Sequence, residues 1–114
     1  MIQTATSIRR HERVRARLNV FYGIGAPEFE AMAESISIGG VFLNTNNVLK
    51  VGSRVIVQIK FPERSVCHCG EVTWAIRVPE HQRESLVCGM GISFVDPDPS
   101  WATFFKAWRD SDGD

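Results

Sequence analysis

Apolar and polar residues alternate along most of this chain, and glycine, proline and asparagine clusters interrupt the alternation at intervals. Val14, Ala16, Leu18 and Val20 set one apolar face against Arg15, Arg17 and Asn19, the period-two signature of a half-buried strand beginning near Val14. Gly23, Gly25 and Pro27 end it. Phe29 to Ser37 resumes a weaker alternation. Glu28 to Glu34 also holds good helix formers, but the strong turn signals on both sides favour a strand. Val41-Phe42-Leu43 is the next strand, closed by the turn-forming tetrad Asn44-Thr45-Asn46-Asn47, and Val51-Gly52 makes a further turn.

From Arg54 to Phe61 the residues Val55, Val57, Ile59 and Phe61 share one face, while Ile56 interrupts the polar one. Pro62 to Ser65 connects to a long β-rich run, Val66 through Val78. The turn-like Pro79 to Ser85 then leads to a last strand, Leu86 to Val95. Gly89 and Gly91 inside that strand predict close approach by another backbone, as at a barrel corner. Asp96 to Pro99 stops the sheet, and Ser100 is placed to cap a helix. Trp101, Phe104, Phe105 and Trp108 fall at i, i+3, i+4 and i+7, an apolar stripe that must pack on the sheet. Short strands with regular turns and one closing helix describe an all-β protein, a small antiparallel barrel or sandwich with a short C-terminal α-helix.

A chain of 114 residues carries one core, so a single domain is expected over residues 9–109, after a flexible leader at 1–8 and before an acidic tail at 110–114. Thirteen basic and thirteen acidic residues cancel, which removes the global charge of a DNA-binding protein. Charge is instead local: Arg9, Arg10, Arg13, Arg15 and Arg17 crowd one segment against the single acid Glu12. No apolar run is long enough to insert into a membrane and no signal peptide is visible, so the protein is expected to be cytoplasmic.

Three cysteines without a CxxC fit free, small buried thiols better than a disulfide framework. Cys67 and Cys69 share a strand face with His68 on the opposite one, which defeats a single tetrahedral metal site. His11, His68 and His81 stand apart from any nucleophile signature or paired carboxylates, so neither a metal, a cofactor nor a catalytic residue is expected, and the protein is read as not an enzyme.

Two features carry chemistry. Arg9, Arg10 and Arg13 precede the first strand, and arginine both bonds phosphate bidentately and stacks on flat bases. Ser35-Ile36-Ser37-Ile38-Gly39-Gly40 is a sharp corner where hydroxyls and glycine backbone are positioned to face an anion.

With Gly70-Glu71-Val72-Thr73-Trp74 and Gly89-Met90-Gly91-Ile92-Ser93-Phe94, the segments Arg9 to Val14 and Ser35 to Leu43 resemble a PilZ domain. The resemblance runs from about residue 9 to the helix. It implies a six-stranded antiparallel β-barrel acting as a receptor for the bacterial second messenger cyclic di-GMP. Arg9 and Arg13 match the family's R-x-x-x-R, and Ser37 and Gly40 match the fixed positions of [D/N]-x-S-x-x-G. The implied ligand-binding set is Arg9, Arg10, Arg13, Ser35, Ser37 and Gly40.

One position departs from the pattern: Ser35 stands where the family has Asp or Asn facing a guanine edge. A hydroxyl does not reproduce a bidentate acceptor, and losing one charge-assisted hydrogen bond costs roughly 1.5–3 kcal/mol, about one to two decades of affinity. Two functions are therefore carried forward. One is a cyclic di-GMP receptor and adaptor that orders its arginine segment on the ligand and signals through a protein partner. The other is a degenerate PilZ-like interaction module, in motility or surface machinery, that does not bind the nucleotide. A different nucleotide or an RNA is a remote third.

Overall fold

Each alternating run of the sequence is a strand in the structure, a computed structural model that describes residues 13–82 and 88–112. The elements are β1 (Val14–Gly23), β2 (Phe29–Ile36), β3 (Gly40–Asn44), β4 (Arg54–Lys60), β5 (Ser65–Ile76), a 3-10 turn (Glu80–Gln82), β6 (Gly89–Phe94) and α1 (Pro99–Asp112). The strands are antiparallel and close a barrel in the order β1-β2-β3-β6-β5-β4, with β4 pairing back onto β1 through Val20 opposite Ile59 and Tyr22 opposite Val57. Closure leaves every strand of the sheet paired on both sides.

The faces follow the pleat. Val14, Val20 and Tyr22 of β1 and Val55, Val57 and Ile59 of β4 are buried, whereas Arg15, Arg17 and Asn19 are exposed. Glu28 to Ser35 lies in or beside a strand rather than a helix, because Ala31, Ala33 and Ile36 are needed in the core at strand spacing. The last two strands are shorter than their patterns: β5 ends at Ile76, and β6 starts at Gly89, with Leu86 and Val87 outside the described residues. Tyr22 carries its hydroxyl into the core, where it bonds the Thr45 hydroxyl at 2.9 Å and donates to the Asn47 carbonyl at 2.7 Å. That bond pair pins the Asn44–Asn47 turn, and burial pushes the phenol pKa up against the smaller opposite effect of Thr45.

Helix α1 starts two residues earlier than its sequence pattern implied. Asp98, not Ser100, is the cap: its carboxylate accepts the Ser100 backbone N–H at 2.9 Å, and Pro99 opens the first turn, where a missing N–H costs nothing. That bond holds the Asp98 carboxyl below the usual carboxylate range. The helix runs on to Asp112, so Asp110 belongs to its last turns rather than to a tail. Trp101, Phe105 and Trp108 are buried, and Phe61 is the ring they close around, with centroids 5.9 Å from Trp101, 4.9 Å from Phe104 and 5.2 Å from Trp108. The Arg64 guanidinium covers the outer side of Phe104, 4.7 Å from its centroid.

His68 lies under this helix, on the inner side of β5. Its ring stacks on Phe94 at 4.2 Å and meets the edge of Trp101 at 4.6 Å, and its Nε2 has no hydrogen-bond partner among the described residues. A charged imidazolium has no place there, so desolvation lowers the pKa from 6.5 to about 4. The unfolded chain takes up a proton near pH 6.5 that the folded barrel refuses until about pH 4. The contribution of neutral His68 is thus complete above pH 6.5 and is lost as pH falls towards 4, on the order of 3 kcal/mol in all. Denaturant midpoints measured between pH 7 and pH 4.5 are expected to fall less for His68→Phe than for the wild type; equal slopes would show that His68 is not the group responsible.

Candidate functional site

The corner between β2 and β3 is built by Ser37. Its N–H donates to the Gly40 carbonyl at 2.9 Å, its Oγ lies 3.5 Å from the same oxygen, and the Gly39 N–H donates to that Oγ at 3.2 Å. Ser37 is buried at 3% exposure, so its hydroxyl serves the shape of the corner. Gly40 is required for space rather than for a left-handed backbone: a Cβ there would run into the Ile92 carbonyl oxygen of β6, while the positive φ of 96° belongs to Gly52 in the β3–β4 connection. The Phe94 N–H closes the corner from the other side by donating to the Gly39 carbonyl at 2.9 Å.

Ser35 stands beside this corner with its side chain half-exposed, and the Arg13 Nε donates to its Oγ at 3.2 Å. Arg13 and Ser35, 22 residues apart in sequence, therefore meet in space. Arg9 and Arg10 lie outside the described residues. Arg15 is paired directly opposite Ser35 across the β1–β2 ladder.

Register extends this meeting into a row that crosses five strands: Arg15 opposite Ser35, Ser35 opposite Phe42, Phe42 opposite Gly91, and Gly91 opposite Trp74. Phe42 and Trp74 stack at 5.1 Å with their planes 12° apart, and Trp74 keeps 46% of its surface exposed. The glycines of β6 make room for the two rings. A Cβ on Gly91 would strike the Trp74 indole, and one on Gly89 would lie 2.6 Å from the Phe42 ring. The close backbone approach expected at these glycines is found at Gly89, where a Cβ would lie 2.8 Å from the Leu43 carbonyl oxygen, and at both glycines aromatic side chains on the outside of the barrel add to it. The alternation of β3 places Phe42 on that face, whereas Trp74 has the spacing of the buried His68 and Val72 and is turned outward by the register shift between Val72 and Trp74, so only the register shows that the two rings are neighbours.

Next to the row lies an open groove of about 530 Å³ lined by Arg15, Arg17, Met32, Glu34 and Asn44. Guanidinium groups, a hydroxyl and a flat aromatic surface on one face are what a phosphorylated, planar ligand requires. The cysteines take no part in it. Cys67 and Cys69 point outward and are exposed, contrary to the expectation of buried thiols, because the inward place between them is taken by His68. Cys88 is buried, its Sγ accepting the Val78 N–H at 3.3 Å. Among the described residues no cluster of His, Cys, Asp or Glu is arranged to hold a metal ion, and no helix is long and apolar enough to cross a membrane.

Comparison with known proteins places this geometry. The model of the PilZ domain matches residues 7–102. No curated protein matches the chain in sequence. Among solved structures, the Bacillus subtilis inhibitor of motility MotI/DgrA superposes with a TM-score of 0.72 at 19% identity, over 88% of this chain and 48% of that one. The Borreliella burgdorferi PlzA protein in complex with c-di-GMP gives 0.64 at 14% identity, over 93% of this chain and 43% of that one. The PilZ domain with c-di-GMP of YcgR from Escherichia coli gives 0.62 at 13% identity, over 91% of this chain and 97% of the domain. The chain thus spans about half the length of the Bacillus and Borreliella proteins and almost all of the YcgR domain. With the family model covering most of its length and a closed six-strand barrel capped by one C-terminal helix, the chain belongs to the PilZ domain family.

Proposed function

We propose that this protein is a cyclic di-GMP receptor that binds no further cofactor and acts through a protein partner in the cytoplasm. The observation that carries the reading is the Arg13–Ser35 contact, which brings the arginine segment onto the serine corner across the barrel's outer face. Arg9, Arg10 and Arg13 bind phosphate and stack on guanine in this reading. Ser35 faces the ligand, and Ser37 and Gly40 hold the backbone that presents it. The stacked Phe42 and Trp74 add a flat surface one and three strand steps from Ser35. Two of the structures that share the fold, PlzA and the YcgR domain, are complexes with c-di-GMP.

A second reading, constitutive contact with a partner and no nucleotide, is favoured by one observation. Trp74 and Ile76 leave 46% of their surfaces exposed on the same strand, an apolar strip suited to a protein surface.

Calorimetric titration with cyclic di-GMP separates the two. Saturable binding in the micromolar range or tighter is expected, and folded protein that gives no saturation would overturn the receptor reading. Replacing Arg9 and Arg13 together by alanine is expected to abolish binding and the cellular effect at once; a cellular role that survives the double substitution would favour the second reading. Ser35→Asp, which adds a paired acceptor where the ligand lies, is expected to tighten binding by up to about tenfold.

A further inference from the structure

Two register shifts bear on the same few residues of β2. Against β3, Ala33 pairs with Leu43 and Ser35 with Phe42, so Glu34 is an extra residue without an opposite number. Against β1 the ladder jumps from Arg15 opposite Ser35 to Leu18 opposite Ala33. Such a bulge breaks the in-and-out alternation. Ala33 and Ile36 are fully buried, while Glu34 is exposed and Ser35 half-exposed, so two consecutive side chains face outward. Glu34 lines the groove together with Arg15 and Arg17.

Its carboxylate is held in place. Asn44 Nδ2 donates to Glu34 Oε2 at 3.0 Å, which fixes one oxygen and leaves the other without a partner among the described residues. Asn44 is two residues from Phe42 on β3, on the same outer face, so the oriented carboxylate stands at the margin of the aromatic surface.

We infer that Glu34, exposed beside Ser35 at the β2 bulge and oriented by Asn44, is the acceptor that selects guanine at this site. The inference rests on the receptor reading above and adds to it the residue that sets base specificity. Guanine presents two adjacent donors, N1–H and the 2-amino group, along one edge. A carboxylate is the side chain whose two acceptor oxygens match a donor pair, and a hydroxyl is not. Adenine turns an acceptor nitrogen to the same place and would be repelled. Arg15 and Arg17, which line the same groove, offset the negative charge and are suited to the O6 and N7 acceptors of the base or to phosphate.

Calorimetry of the full chain with cyclic di-GMP and with its inosine counterpart, which lacks the 2-amino group, tests the assignment. The wild type is expected to prefer the guanine ligand by about tenfold or more, the value of one charge-assisted hydrogen bond. Glu34→Gln should reduce that preference to within about threefold, and Ser35→Asp placed in the Glu34→Gln background should restore it. Because Glu34 is exposed, melting curves are expected to show an intact fold. A folded Glu34→Gln protein that keeps the wild-type preference would overturn the role of Glu34 and leave the receptor reading standing. A wild type that binds neither nucleotide would overturn both.

Discussion

Closure of the sheet is the constraint on which everything else in this molecule depends. Once β4 pairs with β1, no strand can slip without moving its side chains to the wrong face, because a shift of one residue would expose Val55, Val57 and Ile59 together. Registers that would be adjustable in an open sheet are locked into a ring. The bulges of β2 and β5 are therefore fixed features. One leaves Glu34 and Ser35 facing outward in succession, and the other, between Val72 and Trp74, sets the indole opposite Gly91. Thr73, the extra residue of the second bulge, donates its hydroxyl to the Gly91 carbonyl at 3.2 Å and ties the distortion to its neighbour strand.

The candidate face is assembled across the strands. Arg15, Ser35, Phe42, Gly91 and Trp74 come from five of them, and no two are close in sequence. Such a row exists only when the barrel is complete, so any ligand held by it would bind the native state alone and add its binding free energy to the stability of the whole fold.

Much of this was legible in the sequence, for physical reasons that differ from residue to residue. The strands were readable because the core takes alternate residues, and α1 because its aromatic stripe repeats at helical spacing. The two halves of the family motif were visible as motifs, and their meeting through Arg13 and Ser35 follows from the β1–β2 hairpin. The pairing of Glu34 with Ser35 on one face was hidden because alternation through Ala31 and Ala33 turns Glu34 out but Ser35 in, and the bulge leaves both outside. The Phe42–Trp74 stack was hidden because it depends on which strand lies between β3 and β5, and chain order does not disclose that β6 does. Ser100 was misread as the cap because the choice between it and Asp98 is made by Pro99, which suits the first helical turn.

The indole of Trp101 makes one contact whose meaning reaches beyond packing: its Nε1 donates to the Ile38 carbonyl at 2.9 Å. Ile38 lies inside the corner between Ser37 and Gly39, so the C-terminal helix is bonded to the loop that joins β2 to β3. Through this bond the seating of α1 and the geometry of the corner become linked equilibria. Whatever free energy a ligand gains by preferring one arrangement of the corner is, by reciprocity, a bias on the helix of the same size. The barrel thereby has a hydrogen-bonded link from the corner of β2 and β3 to its C-terminal helix.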